Sequence, residues 1–503
     1  LLLVAAGLVS AEPARADDPA PADSDDKTDG EDGGGDAADD DPYDDYDDDM
    51  VVVVETEGGM PRVAGSAQVV TEQELERFEM DDVGRVLVSV PGVYVRGEDG
   101  LGLRPNIGLR GAASNRSSKI TLLEDGIPFG PAPYAAPAAY YFPMTTRMVG
   151  IDVIKGPAAI QNGPNTVGGA VNLRTRPVPH DGFHGYADLA AGSWTSGKAH
   201  VWLGGGDNRG GWLVEGVHLG TKGFWEADHG GPVGTRRTEL MAKGRLYLRN
   251  DADRRDALEV KLGLAHEDSR STYLGLHPDD YDDNPWRRYL TTSEARMQWT
   301  RNQATLSYLH TTPGKLQLRV TAYRHQLHRD WRKFNAFAGG TDAYEVLTSP
   351  DAGANAPWLA LLCGQADSLT PDENLLIGNN DRSFVASGVS GLARFVARDG
   401  DGPTLRGEVG LRVHYDDVHR LHTYDTYAMQ DGALVATDAD RVTTRDDTAH
   451  ALAFAAHTAW DLGLGDFHVE PGFRTEVIRT WIVDATKPEI RVHPLPGLGL
   501  RYQ

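Results

Sequence analysis

Leu258-Glu259-Val260-Lys261-Leu262-Gly263-Leu264-Ala265 alternates apolar side chains with polar or small ones. Leu316-Gln317-Leu318-Arg319-Val320-Thr321-Ala322-Tyr323 does the same. A period of two belongs to a β-strand with one apolar and one polar face. The pattern recurs downstream. Leu405, Val409, Leu411 and Val413 share one face against Arg406, Glu408, Arg412 and His414, and Phe467, Val469 and Phe473 stand against His468, Glu470 and Arg474. Two architectures use such strands. A membrane barrel turns the apolar face to lipid and the charged face inward. A water-soluble antiparallel sheet buries the apolar face and solvates the other. Strands of about ten residues favour the barrel.

The connections fit a barrel too. Short ones such as Thr312-Pro313-Gly314 alternate with long ones such as about Asn335 to Asp381. Residues 180–503 hold roughly 10 to 14 strands at ~10 residues per strand plus loops. A barrel enclosing a domain of ~130 residues needs more strands than that. Residues 180–503 are therefore expected to be the N-terminal part of a larger barrel. The run Leu498-Gly499-Leu500-Arg501-Tyr502-Gln503 also stops in mid-alternation.

The 503 residues include 74 acidic and 49 basic ones, a net charge of −25. That balance argues against a nucleic-acid binder, whose contact surface must be positive. The single cysteine, Cys363, excludes an intramolecular disulfide framework and a cysteine-based zinc site. No stretch approaches the ~18 consecutive apolar residues of a membrane helix. Leu1 to Val9 is almost wholly apolar and leads to Ala14-Arg15-Ala16 and then Asp17-Asp18, the pattern of a partial signal peptide over 1–16. Residues 17–49 carry 17 Asp or Glu and one Lys, so Met50 to Gln503 carries only −9. Such a run cannot bury enough apolar surface to fold and is expected to be a disordered, self-repelling tether. Met50-Val51-Val52-Val53-Val54 follows at once, an extended segment suited to adding to another protein's sheet edge.

Residues 55–179 are expected to form a small α+β domain. Thr71-Glu72-Gln73-Glu74 is a capping box, which predicts a short helix to about Met80. A second helix is expected near Val83 to Val88, followed by short β-runs broken by Gly and Pro. Lys155-Gly156-Pro157 is not a phosphate loop, because it lacks the Gly-Lys-Ser/Thr ending. No G-x-S-x-G or H-E-x-x-H pattern occurs, and no catalytic role or resident cofactor or metal is assigned. His325 and His328 lie on opposite faces of a strand, which is no metal-ligand arrangement.

Several motifs then converge. Pro91-Gly92-Val93, Ile107-Gly108-Leu109-Arg110-Gly111, Leu123-Glu124-Asp125-Gly126-Ile127-Pro128, Ile151-Asp152-Val153-Ile154-Lys155-Gly156-Pro157, Asn162-Gly163-Pro164 and Val167-Gly168-Gly169-Ala170-Val171-Asn172-Leu173 resemble the plug signature of TonB-dependent outer-membrane receptors. The family usually shows Tyr or Phe where Asn162 stands. The resemblance implies a transmembrane antiparallel β-barrel of 22 strands in full form, occluded by the plug. It also implies location in the bacterial outer membrane, contact with its lipid, a monomer, and a TonB box at Met50, Val51, Val52, Val53 and Val54. Partners would be TonB with ExbB and ExbD, and the ligand a transported ferric chelate.

Within the family the chain is most similar to the ferric dicitrate branch, through Phe129-Gly130-Pro131-Ala132-Pro133-Tyr134, Phe142-Pro143 and Asp279-Asp280-Tyr281-Asp282 with Trp286. Arg382 opens an R-x-aromatic-x-x-x-Gly pattern through Phe384 and Gly388, like one ligand-binding arginine of that branch. Arg441, nine residues before His450, sits like another. Arg329 matches a third, and His328 aligns equally well. The three arginines are expected to converge, over a plug floor from Glu98 to Arg104 and from Pro131 to Tyr134. Forked guanidinium donors suit an anionic chelate such as ferric citrate. The competing readings are the same fold importing another siderophore, metal chelate or cobalamin, a secreted β-rich enzyme, and a structural or adhesive barrel.

Overall fold

The computed structural model describes residues 56–57, 60–61, 65–228, 230–270, 272–349, 353–398, 402–484 and 487–502. The partial signal peptide, the acidic tether and Met50–Val54 lie outside them. Twelve strands form an antiparallel meander, each paired with its sequence neighbour. They are Phe183–Gly192, Ser196–Asp207, Gly210–Thr221, Thr235–Asn250, Arg255–Ser269, Arg296–Thr312, Leu316–Phe337, Leu375–Arg398, Thr404–Gln430, Val442–Leu464, Phe467–Ile482 and Glu489–Tyr502. A short thirteenth, Ala433–Ala436, folds back on the end of Thr404–Gln430. Connections at one end are short: 208–209, 251–254, 313–315, 399–403 and 465–466. At the other end they include 222–234, 270–295, 338–374 and 431–441.

Burial decides between the two architectures. Leu258, Val260, Leu262 and Leu264 are 36%, 42%, 52% and 57% exposed, whereas Glu259 and Lys261 between them are 8% and 4% exposed. Apolar side chains face out and charges face in, the reverse of a water-soluble sheet. One register row shows the outer face across seven strands: Val260, Leu306, Ala322, Val389, Val413, Phe454 and Val477. Toward the long-loop end a polar row follows, His266, Thr300, His328, Ser383, His419 and Thr448. On Arg255–Ser269 the band lies between Asp256 and His266. Ten residues at roughly 3.3 Å each, tilted by about 40°, give about 25 Å, the height of a barrel's lipid-facing band. No helix among the described residues is long and apolar enough to cross a membrane.

The α+β domain fills the space behind this wall. Its helix Glu72–Phe78 is capped by Thr71 and Glu74 in the expected box, and Val83–Leu87 follows. Its sheet has the order Ser66–Thr71, Met148–Lys155, Gly169–Thr175, Ile120–Glu124, Ile127–Pro128. The domain's Leu87, Ile107, Val153 and Val171 belong to one buried apolar cluster with Trp299, Leu327, Trp331 and Phe384 of the wall. The long loops carry a core of their own. Helices Ala343–Thr348 and Ala356–Cys363 bury Val346 and Leu362 with Tyr289, Leu290, Phe337 and Met429. Cys363 is buried there, and burial pushes its thiol up to about 11.

Val260→Arg places a charge near the middle of the outward band. It is expected to cost about 2–4 kcal/mol, measured by unfolding from lipid vesicles, whereas Leu248→Arg beyond the band should cost much less.

Candidate functional site

Three arginines face one another across the inner wall. Arg329 stands directly opposite Arg382, and Arg382 directly opposite Arg420. Such neighbours lie about 5 Å apart at Cβ, and like charges there repel. At an effective dielectric of about 20, unit charges roughly 6 Å apart repel by about 3 kcal/mol. Arg420 is offset by Asp447 at 3.2 Å. Arg329 and Arg382 have no carboxylate partner among the described residues. Arg329 is 1% exposed, and its Nε has no hydrogen-bond partner. Its guanidinium lies 4.2 Å from the Tyr140 ring centre and 5.4 Å from that of Trp331. Arg382 donates to Tyr140 Oη at 2.7 Å and to His422 Nε2 at 3.0 Å.

The α+β domain adds a fourth cation from below. Arg116 lies 5.2 Å from the Tyr140 ring centre and pairs with Glu98. Burial lowers its pKa; Glu98 opposes this, while Arg104 and Arg382 add to it. Local backbone fixes the group. Asn106 Oδ1 accepts from Arg116 N at 2.6 Å, and the Arg116 carbonyl accepts from Ala139 N at 2.8 Å, so Arg116 and Tyr140 are held by adjoining loops. Lys333 lies 5.4 Å from the Tyr273 ring centre and 5.5 Å from that of Trp331. The result is a cationic, aromatic recess on the long-loop side of the domain.

The structure separates the five residues singled out in the sequence. Arg329 and Arg382 meet at Tyr140. The choice between Arg329 and His328 resolves by strand parity, because His328 faces outward and touches Ser383 at 3.0 Å. Arg104 lines the same recess as Arg116 and Tyr140, but it is bound to Glu267. Arg441 does not join the group. Its side chain is 61% exposed and paired with Asp425 at 2.7 Å. Tyr134 is also elsewhere. Its ring packs 5.1 Å from His414, and its backbone N donates to Asp416 Oδ2 at 2.7 Å. Arg116, Tyr140, Lys333 and Arg420 had not been found. Strand parity puts Lys333 on the same face as Arg329 and Trp331 and is the signal that could have found it, whereas Arg420 needs the cross-strand register, which the sequence does not carry.

A second constellation joins domain and wall. Asp125 and Gly126 both have positive φ, 52° and 77°, the two-residue turn that suits a tight hairpin. The turn aims Glu124 and Asp125 at Lys261 of the wall, with Asp125 to Lys261 Nζ at 2.7 Å. Arg147 reaches Glu239 of the wall at 2.6 Å and Glu124 at 3.3 Å. Burial disfavours the Glu124 and Asp125 charges, yet Lys261, with Arg147 and Lys243 respectively, holds both below the usual carboxylate range.

The family model for the TonB-dependent receptor plug domain matches residues 61–170. The chain has the plug and the fold of a TonB-dependent receptor. The plug is thus the α+β domain, and the meander is its barrel wall. The unliganded ferric citrate transporter FecA is similar at a TM-score of 0.67 and 22% identity, over 88% of this chain and 61% of that one. BauA, the ferric preacinetobactin receptor from Acinetobacter baumannii, gives 0.60 and 13%, over 87% and 61%. The vitamin B12 transporter BtuB of Vibrio vulnificus strain YJ016 is 32% identical over 141 residues, 27% of this chain and 22% of that protein. The chain thus spans under two thirds of each. These proteins carry different cargoes on one fold, so the fold alone does not choose among them.

Lys261→Met removes the cation shared by Glu124 and Asp125. It is expected to destabilise the plug by about 3 kcal/mol, seen as faster proteolysis of the plug in the folded barrel. Both carboxylates have lowered folded-state pKa values, so their contribution is present at neutral pH and is lost only as pH falls below the ordinary carboxylate range, about 4.

Proposed function

We propose that this protein imports an anionic ferric chelate, ferric citrate, across the bacterial outer membrane in a TonB-dependent cycle. The observation that carries this reading is the row Arg329, Arg382 and Arg420, in which two buried or half-buried guanidiniums face each other without a carboxylate among the described residues. An unpaired desolvated charge is costly unless a counter-charge arrives. A polycarboxylate chelate supplies it, and each guanidinium fork offers two parallel donors per carboxylate. Tyr140 and Arg116 form the floor, so the plug reports on occupancy directly. The outward apolar band supports placement in a membrane, with the loop core and the cationic recess on the external side.

The cycle requires no covalent chemistry. Ferric chelate, as cargo, neutralises the arginine row and draws plug and wall together at Tyr140. Met50–Val54 then pairs with TonB by strand addition, and TonB, energised by ExbB and ExbD, pulls on the plug. The acidic tether before it lengthens the reach of this segment.

The identity to BtuB favours cobalamin as a second reading. A corrinoid with little net negative charge has no need of an unpaired arginine row, and this separates the two. Titration of the full-length receptor with ferric citrate is expected to change tryptophan fluorescence saturably, because Trp331 lines the recess. Arg329→Ala and Arg382→Ala should each weaken binding roughly tenfold or more, the scale of a hydrogen bond to a charged group. Saturable binding of cyanocobalamin that both variants leave unchanged would overturn the ferric chelate assignment. Deleting Met50–Val54 should leave binding intact and abolish uptake of radioactive iron by cells; uptake that survives the deletion removes the box assignment.

A further inference from the structure

The chain places two of its own side chains against the cations of the recess. Glu98 lines it beside Arg116 and Tyr140. The Glu98 carboxylate pairs with Arg116, accepts from Asn106 Nδ2 at 3.0 Å and accepts from Tyr273 Oη at 3.2 Å. Tyr273 belongs to a long connection and reaches down to the plug. Its ring centre lies 4.2 Å from that of Trp331, and Arg116 and Lys333 each lie 5.4 Å from it. Between them, one plug carboxylate and one loop ring take up Arg116 and Lys333.

These contacts differ from the ion pairs deeper between plug and wall. The Arg116 and Glu98 side chains are 24% and 13% exposed, against 8% and 0% for Arg104 and Glu267. Tyr273 is 43% exposed. Its chain neighbours Leu274 and Leu276 pack against the apolar core of the long loops, so Tyr273 is carried by that body and meets the plug carboxylate through one hydroxyl. A single neutral donor is readily exchanged for water. An anionic ligand meets a conflict here. Arg116, Arg329, Arg382 and Lys333 attract its carboxylates, whereas Glu98 repels them and already holds donors of Arg116. We infer that Glu98 and Tyr273 are a built-in occupant of the recess: they hold Arg116 in place of a cargo carboxylate, and they withdraw before a polycarboxylate chelate binds. The occupant lowers the apparent affinity by the fraction of receptors in which the recess is open. The inference deepens the ferric chelate reading of the site and rests on it.

The test is stopped-flow binding of ferric citrate to the full-length receptor, followed by tryptophan fluorescence, since Trp331 packs on Tyr273. Glu98→Gln keeps the size of the side chain and removes its charge. It is expected to raise affinity roughly fivefold or more through faster association, as for a recess open in about one fifth of the original receptors. Tyr273→Phe removes only the hydroxyl and should speed association about twofold or more, the scale of one neutral hydrogen bond. Glu345→Gln, exposed on a loop helix, removes the same charge elsewhere and should leave binding unchanged. Folding of each variant is checked by the heat-dependent gel shift of the barrel. Unchanged or weaker binding in folded Glu98→Gln would overturn the inference, because Glu98 would then only position Arg116 for the cargo. An equal gain in Glu345→Gln would overturn it as well, in favour of a general effect of net charge. Unchanged association in Tyr273→Phe would overturn the part given to the loop, and that variant carries the test should Glu98→Gln not fold. Absence of saturable ferric citrate binding in the original protein and in every variant would instead strike the chelate reading on which the inference rests.

Discussion

A wall whose outer side chains are apolar has to place its charges inside, where each needs a partner. That constraint organises the rest of the structure. Glu259 and Lys261 stand between leucines that face outward, and both are buried. Most inner charges are satisfied by one another or by the plug. Glu124 and Asp125 meet Lys261, Arg147 meets Glu239, and Arg104 meets Glu267. These contacts bind the plug to the wall alongside the apolar cluster that the two share. The Asp416 carboxylate shows the same economy. It accepts from the backbone N–H groups of Tyr134 and Ala135 and from His414.

Against that background the arginine row is one place where pairing fails among the described residues, and buried Arg288 and Arg412 are others. Arg329 and Arg382 are neighbours by register rather than by sequence, and between them they have Tyr140 and His422 but no carboxylate among the described residues. The row lies where the plug's proline-rich loop, the wall and the long loops meet. The loop helices above it already have a packed apolar core built around Phe337, Val346 and Leu362. That core makes these loops a packed body.

Much of this was readable from residues alone, because strand parity is local. Leu258 to Leu264 announced two faces, and Thr71 with Glu74 announced a capped helix. Which face points outward is not local, since lipid and core both take leucine. Site membership was harder still. Arg329 and Arg382 were found, whereas Arg441 is the same residue type a few rungs away, where Asp425 claims it. Arg104 and Tyr134 are placed by their partners on the wall, Glu267 and Asp416, which lie far along the chain. Arg420 enters only through pairing of strands whose register no single strand encodes.

The central claim is that the arginine row over Tyr140 receives the iron chelate. Diffraction from crystals of the full-length receptor soaked in ferric citrate, collected at the iron absorption edge, tests it most directly. The account predicts one anomalous peak above the Tyr140 ring, with chelate carboxylates on Arg329 and Arg382. An anomalous peak elsewhere, with both guanidiniums left as they are, would contradict it.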